Sequence, residues 1–234
     1  MTQLGTSAAF EDLAQRLVQE YWSFYPTAGS RIGLHGYDGK LPDLSPGSLR
    51  RRVEQLQRGL AQLSAINLET MDQEGRLSHR LLELFLKREN FALTEWRPLE
   101  TNPMRQVGYL NVSGYLLRDY APLDQRLRSV IQVLQQVPDF LNTLDAALGE
   151  DIGRPVLDMS IESYSGMARF YRVDLAQGVG GFSEGVLLTE FSRGPGGGSH
   201  RRGPVCGRAG SPCPPGIAQF RHRLPALLID AGYR

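Results

Sequence analysis

Hydrophobic residues near the start of the chain recur at spacings of three and four, which is typical of an α-helix with one buried face. The first such segment lies between Ser7 and Tyr25, and Pro26 ends it. Its apolar positions are Phe10, Leu13, Leu17, Tyr21 and Phe24. The pattern predicts one amphipathic helix over this segment.

A glycine-rich connector, residues 29–43, separates the first helix from the second. Ser45 suits an N-cap and Pro46 suits a first helical turn, so a second helix is predicted to begin there. The apolar face of this helix consists of Leu49, Val53, Leu56, Leu60 and Leu63.

The pattern predicts a long third helix from Glu69 to Trp96, roughly 40 Å in length at 1.5 Å per residue, which Pro98 stops. The more apolar residues 107–120 contain glycines 108 and 114. They predict a buried helix whose backbone a neighbour approaches closely.

Two further helices are predicted in the remainder of the patterned region. One begins with Pro122 in its first turn and continues to Gly149, with a kink or break at Pro138. The other covers residues 155–175. Since no long segment alternates apolar and polar residues, the chain is predicted to be all-α, an irregular bundle of about six helices with a disordered or irregular C-terminal tail.

Composition changes abruptly near residue 192. Residues 192–234 hold 9 of the 26 glycines, 6 of the 14 prolines, 7 arginines, both cysteines and one acidic residue, Asp230. Their net charge is +6, against −5 for residues 1–191. We therefore expect a helical domain over residues 1–191 and a Gly/Pro/Arg-rich tail over residues 192–234.

The sequence argues against a membrane partner. No run of about 18 uncharged apolar residues is present, and residues 1–5 lack the basic and apolar regions of a secretory signal. Residues 1–191 contain no cysteine, which fits a reducing compartment. A cytoplasmic location is expected, with no nucleic-acid partner, because the arginines of the tail lack interleaved aromatic residues.

No catalytic or metal-ligating residue is assigned from the sequence. None of the four histidines begins the His-Glu-x-x-His signature of zinc hydrolases, and no Gly-x-Ser-x-Gly motif is present. His79 is interpreted as part of a solvated polar face. Four acidic residues are interpreted in the same way: Asp12, Glu20, Glu83 and Glu89.

The tail offers a formal set of zinc ligands, His200, Cys206, Cys213 and His222. Six residues separate the two cysteines, where zinc sites usually have two to four, and no apolar framework surrounds them. An unstructured tail is the favoured interpretation, and no cofactor is expected in this chain.

The connector contains the most site-like segment, Gly33-Leu34-His35-Gly36-Tyr37-Asp38. His35, Tyr37 and Asp38 could line a cleft and supply an acid-base pair with an aromatic wall. The alternative is structural, with glycines providing turns, His35 capping a helix end and Asp38 satisfying loop amides.

Several segments together resemble the amino-terminal portion of the bacterial domain of unknown function 885 (DUF885) family. They are FEDLAQRLVQEYWSFY at residues 10–25, IGLHGYDGKLPDLSPGSL at residues 32–49, residues 102–114, and RDYAPLDQRL at residues 118–127. The resemblance covers about residues 8–190. Its most specific parts are the Gly-x-His-Gly-Tyr-Asp segment and the Leu-Pro-Asp-Leu-Ser-Pro segment.

The resemblance implies a largely helical, zincin-like protein from a family of longer candidate metallopeptidases that act on peptides. In that family a His-Glu-x-x-x-Gly-His-like helix in the carboxy-terminal half binds zinc, and no position of this chain matches it. The resemblance also implies that His35, Tyr37 and Asp38 line the family's cleft.

Two functions follow as expectations. In the first, the chain is a truncated, inactive member of a zinc metallopeptidase family, and a frameshift or sequencing error near residues 190–195 produced its tail. In the second, it is a non-catalytic helical module that binds a protein partner. Apolar faces left exposed by truncation are expected to promote self-association.

Overall fold

The computed structural model describes residues 8–175, which form α-helices joined by 3₁₀ and π turns, with no β-strand in that range. The eight α-helices are α1 (Ala8–Phe24), α2 (Pro26–Arg31), α3 (Pro46–Ser64), α4 (Gln73–Phe91), α5 (Pro98–Thr101), α6 (Ser113–Leu117), α7 (Leu123–Ala147) and α8 (Arg154–Arg169). The 3₁₀ helices are His35–Tyr37, Leu68–Thr70 and Pro103–Leu110, and the π-helices are Ala92–Trp96 and Phe170–Leu175. The all-α prediction is confirmed.

Five of the six predicted helices are present as the long elements α1, α3, α4, α7 and α8. Local signals set their ends. The Ser45 hydroxyl accepts a hydrogen bond from the backbone N–H of Ser48 at 3.3 Å, with Pro46 in the first turn of α3. Asp72 caps α4 in the same way, accepting from the N–H of Gly75 at 2.7 Å.

Hydrophobic side chains form two separate cores. The first lies among α1, α3 and α4 and contains Phe10, Leu13, Leu17, Leu56, Leu63, Met71 and Leu86. The second surrounds α7 and α8, and its most buried members include Leu110, Val112, Val133, Leu134, Val137, Leu144 and Leu157. The connector between α2 and α3 packs on the second core, because Leu44 is buried in it and Leu41 lies against it.

The predicted helix over residues 107–120 is wrong. This region forms the 3₁₀ helix Pro103–Leu110 and the short α6 instead. The side chain of Asn111 accepts a hydrogen bond from the N–H of Ser113 at 2.9 Å, an Asx turn that competes with helical bonding. No atom of residues 8–175 lies within 4 Å of the position of a Cβ on Gly114, so the predicted close approach does not occur there within the described part of the chain.

Of the kink or break predicted at Pro138, the break does not occur, because α7 continues through the proline. A proline inside a helix costs about 3 kcal/mol through the lost hydrogen bond and the ring's clash with the preceding turn. Val137, Phe140 and Leu141 are each at most 5% exposed, and their burial on both sides of the proline offsets this cost.

Two residues that were predicted to lie on solvated faces are buried. His79 is 6% exposed, and its Nε2 lies 2.9 Å from the carbonyl oxygen of Leu63. Glu89 is 7% exposed and forms a bidentate ion pair with Arg52. Their polar sequence neighbours misled the prediction, since residues one position apart point about 100° apart on a helix.

The expectations for residues 192–234, including the tail histidines and cysteines, concern residues outside the described range. The same holds for residues 176–191 of the expected helical domain. No helix within residues 8–175 has the length and apolar character needed to span a membrane.

Candidate functional site

The connector between α2 and α3 is shaped by two glycines with positive φ angles, Gly33 at 95° and Gly39 at 74°. A residue with a Cβ would be strained at either position. The connector is also anchored to α7: Gln136 donates from Nε2 to the carbonyl oxygen of Gly39 at 2.7 Å, and its Oε1 accepts from the N–H of Leu41 at 3.0 Å. The glycines and these bonds fix the path of the loop.

Asp38 collects side-chain hydrogen bonds at the centre of this loop. Its Oδ1 accepts from the hydroxyl of Ser30 at 2.5 Å, and its Oδ2 accepts from the hydroxyl of Tyr120 at 2.7 Å. The same Oδ2 lies 3.1 Å from Nδ1 of His35. Asp38 therefore joins α2, the 3₁₀ turn and the segment before α7, and it does so through side chains rather than the loop amides.

The imidazole of His35 is fixed on two sides. Its ring stacks on that of Tyr120, with centroids 3.6 Å apart and planes 5° apart. An ionised carboxylate only accepts hydrogen bonds, so Asp38 favours the form of His35 that carries a proton on Nδ1. In the neutral ring Nε2 then has a free lone pair, and no hydrogen bond to Nε2 is found within residues 8–175.

Tyr120 is held as a neutral hydrogen-bond donor. Burial raises the pKa of its phenol, and the hydrogen bond to Asp38 and the negative charge of that carboxylate raise it further. The phenol therefore stays protonated at physiological pH.

Arg126 positions the segment that carries Tyr120. This arginine is 7% exposed and donates hydrogen bonds to four backbone carbonyls, those of Tyr115, Leu116, Arg118 and Ala121. It also pairs with Asp119 at 2.9 Å. The hydroxyl of Tyr115 accepts from the N–H of Gly39 at 3.1 Å, which attaches this segment to the connector.

A cavity of about 240 Å³ opens beside His35, and we call it the His35 cavity. Arg31 and Arg118 line it and are exposed, and neither forms a salt bridge with another described residue. Arg118 donates to the carbonyl oxygen of Arg31 at 2.6 Å, which leaves further guanidinium N–H groups available. The cavity is thus lined by guanidinium donors and by the imidazole of His35.

The three predicted site residues have different positions. His35 lines the cavity, and Asp38 supports it from behind. Tyr37 instead lies against α2, where its ring would be 3.0 Å from a Cβ on Gly29. The sequence reasoning missed Tyr115, Tyr120 and Arg118, although Arg118 and Tyr120 fall in the RDYAPLDQRL segment that carries the family resemblance.

His35 and Asp38 do not form a zinc site. Within residues 8–175 no three His, Cys, Asp or Glu side chains come close enough to hold a metal ion. Ser30, His35 and Tyr120 already engage both oxygens of Asp38. The site can bind through hydrogen bonds and charge.

One solved structure shares the fold of this chain. It is described as "The structure of a putative lipoprotein of unknown function from Shewanella oneidensis", with a TM-score of 0.71 and 18% sequence identity. The match covers 97% of this chain and 40% of that chain, so the present chain spans less than half the length of the Shewanella protein. At this identity the likeness shows the fold alone.

Comparison with curated protein sequences found no match. A family model does match, that of "Bacterial protein of unknown function (DUF885)", over residues 26–174. This region includes the His35 cavity and more than half of the chain. The chain therefore belongs to the DUF885 family of bacterial proteins of unknown function.

Proposed function

We propose that this chain supplies the peptide-binding helical part of a metallopeptidase-type hydrolase, with the His35 cavity forming one wall of the peptide cleft. The observation that carries the proposal is the fixed imidazole of His35, whose Nε2 faces no hydrogen-bond partner within the described residues. A peptide N–H is a suitable donor to that nitrogen. Arg118 and Arg31 can donate to the peptide carbonyl oxygens beside it.

The size of the cavity agrees with this proposal. About 240 Å³ is slightly below the 300 Å³ or more of pockets that enclose a drug-sized ligand. A short stretch of extended peptide can lie across such an opening with only one or two residues inside it.

We propose zinc chemistry for the longer members of the family and not for this chain. The resemblance places their metal-binding helix in a carboxy-terminal half, and the described residues of this chain do not fit the ion. We therefore propose that the chain binds peptides without cleaving them and retains no stoichiometric zinc after purification. Metal analysis that returned one tightly bound zinc per chain would contradict this.

Calorimetric titration with a blocked tetrapeptide, acetyl-tetraalanine amide, tests the binding proposal. His35→Phe keeps a ring that can stack on Tyr120 but removes Nε2. We expect it to weaken binding about fivefold to tenfold, the value of one hydrogen bond. Tyr37→Phe is the matched control, because it removes a phenol from the same turn but outside the cavity lining.

Equal affinity of the wild-type protein and the His35→Phe variant would contradict the role of the His35 cavity. Absence of saturable peptide binding by the wild-type protein would contradict the proposed function altogether.

A second candidate function, a helical module that associates through an apolar face, is favoured by α4. Leu77, Leu81 and Leu84 are 59%, 58% and 47% exposed, and their spacing places them on one face of the helix. If this face mediates association, Leu81→Lys lowers the sedimentation coefficient at high protein concentration and Ser78→Lys, on the same helix, does not. A wild-type protein that stays monomeric at all concentrations would exclude this function.

A further inference from the structure

A second and larger cavity, of about 590 Å³, lies between the two cores. We call it the Trp96 cavity, after the tryptophan at the end of the π-helix Ala92–Trp96 that forms part of its wall. Helices α1, α2, α4 and α5 and the 3₁₀ helix Pro103–Leu110 all contribute lining residues. Its volume is within the range of small-molecule sites.

The charges that line the Trp96 cavity are unbalanced. Its two carboxylates are both paired, Glu89 with the buried Arg52 and Glu100 with Arg97 at 2.5 Å. Arg88 and Arg105 also line it, and neither forms a salt bridge with another residue of the range 8–175. The cavity therefore has an excess of positive charge, which favours an anionic ligand.

The two unpaired guanidinium groups lie on aromatic rings. The Cζ of Arg105 is 4.7 Å from the ring centroid of Trp96, and the Cζ of Arg88 is 5.4 Å from that of Phe85. Such stacking restricts the motion of each guanidinium while its N–H groups remain free to donate. The stacking therefore reduces the conformational entropy that each arginine would lose on binding a carboxylate.

The remaining walls are aromatic and aliphatic. Tyr21, Tyr25 and Tyr109 lie on one side, and Phe91, Leu93 and Leu99 contribute apolar surface. Burial raises the pKa of Tyr109 to about 12, so its phenol is a neutral hydrogen-bond donor at physiological pH. These walls suit the apolar body of a small ligand.

We infer that the Trp96 cavity binds small carboxylates with an aromatic or branched apolar body, which place the carboxylate on Arg88 and Arg105 and the body against Trp96 and the tyrosines. This site is distinct from the proposed peptide-binding role of His35, and its ligand requires no cleavage. Arg31 and Tyr109 line both cavities, so the two sites are adjacent.

The experiment is a calorimetric titration of the full chain with N-acetyl-phenylalanine, with N-acetyl-phenylalanine amide as the uncharged comparison. We expect saturable binding of the acid and at least about tenfold weaker binding of the amide, because a charge-assisted hydrogen bond is worth roughly twice a neutral one. Arg88→Gln and Arg105→Gln should each weaken binding of the acid about tenfold. Arg58→Gln, an exposed arginine of α3 outside the cavity lining, should leave it unchanged.

Circular dichroism and urea unfolding first establish that each variant folds. Only folded variants are then compared in the binding titration. The inference is overturned if the wild-type protein does not bind the acid, if the amide binds equally well, or if both arginine variants bind like the wild type. His35→Phe is expected to bind the acid normally, which separates failure of this inference from failure of the proposed function.

Discussion

At the scale of single residues, the ion pair between Arg52 and Glu89 is the most buried charged contact in the described part of the chain. Arg52 is 1% exposed, and its Nε and Nη2 donate to the two oxygens of Glu89 at 2.8 Å and 2.7 Å. The pair links α3 to α4 at the wall of the Trp96 cavity. Such a pair contributes little net stability against an apolar replacement, but the loss of Glu89 leaves the buried Arg52 with Glu20, at 4.0 Å, as its remaining carboxylate partner within residues 8–175.

Glu89→Gln should therefore destabilise the protein by about 3 kcal/mol or more, although the side-chain volume hardly changes. Urea unfolding at neutral pH measures this change. Glu54→Gln, an exposed position of α3, is the control and should change stability by less than about 0.5 kcal/mol. A value for Glu89→Gln as small as that of the control would contradict this account and would mean that Glu20 or solvent compensates the charge of Arg52.

The sequence predicted His35, Tyr37 and Asp38 as cleft-lining residues, because a histidine and an aspartate three residues apart between glycines form a recognisable local pattern. It could not identify Tyr120 or Arg126, which lie more than 80 positions away along the chain from Asp38 and enter the site only through folding. The same limit applies to Glu89, whose partner Arg52 is 37 positions distant.

At the scale of helices, the close contact of α1, α3 and α4 depends on Gly59. A Cβ at this position would lie 2.6 Å from Cδ2 of Leu17 and 3.4 Å from Cδ1 of Leu86, both of which are buried in the first core. Glycine normally weakens a helix by about 1 kcal/mol relative to alanine. Here its small size permits the packing.

Gly59 in α3 and Gly166 in α8 provide a matched pair of substitutions. Gly59→Ala should destabilise the protein by about 1–2 kcal/mol, because overpacking outweighs the gain in helix propensity. Gly166→Ala should stabilise it by up to about 1 kcal/mol, since no atom of the described residues lies within 4 Å of the new methyl group. Thermal unfolding of both variants measures whether each unfolding temperature rises or falls relative to the wild type. Shifts of equal size in the same direction would contradict the packing described for Gly59.

Hydrophobic periodicity and capping residues were sufficient to predict the five long helices, since each has an apolar face and a local end signal. They failed over residues 107–120, where the side chain of Asn111 competes for backbone bonding. They also left open a break at Pro138, where burial of neighbouring residues keeps α7 continuous. The spacing of hydrophobic residues contains no information about either interaction, the side-chain hydrogen bond of Asn111 or the burial around Pro138.

At the scale of the whole molecule, several tyrosines are buried at or between the two cores. Burial raises the pKa values of Tyr21, Tyr25, Tyr109, Tyr120 and Tyr164. In the unfolded chain these phenols titrate near 10.0. The folded state therefore retains protons that the unfolded state has lost at alkaline pH.

This difference predicts alkaline destabilisation. The contribution of Tyr109 is fully present below about pH 10 and is lost as pH rises through its folded pKa of about 12. Each such tyrosine lowers the free energy of unfolding by up to about 1.4 kcal/mol per pH unit in that window. Urea unfolding of the wild type and Tyr109→Phe between pH 9 and about pH 12 should show a shallower decline for the variant, and identical slopes would contradict the assignment.

The central claim of this account is that Asp38 orients His35 so that its Nε2 faces a peptide-binding cavity. Long-range ¹H–¹⁵N NMR of the imidazole nitrogens tests it most directly, with the His35 signals assigned by their absence in His35→Phe. At about pH 8.5, where an imidazole is ordinarily neutral, we predict a protonated Nδ1 and an unprotonated Nε2. Addition of acetyl-tetraalanine amide should shift the Nε2 resonance in a saturable manner. A proton on Nε2, or an Nε2 resonance that does not respond to the peptide, would contradict the account.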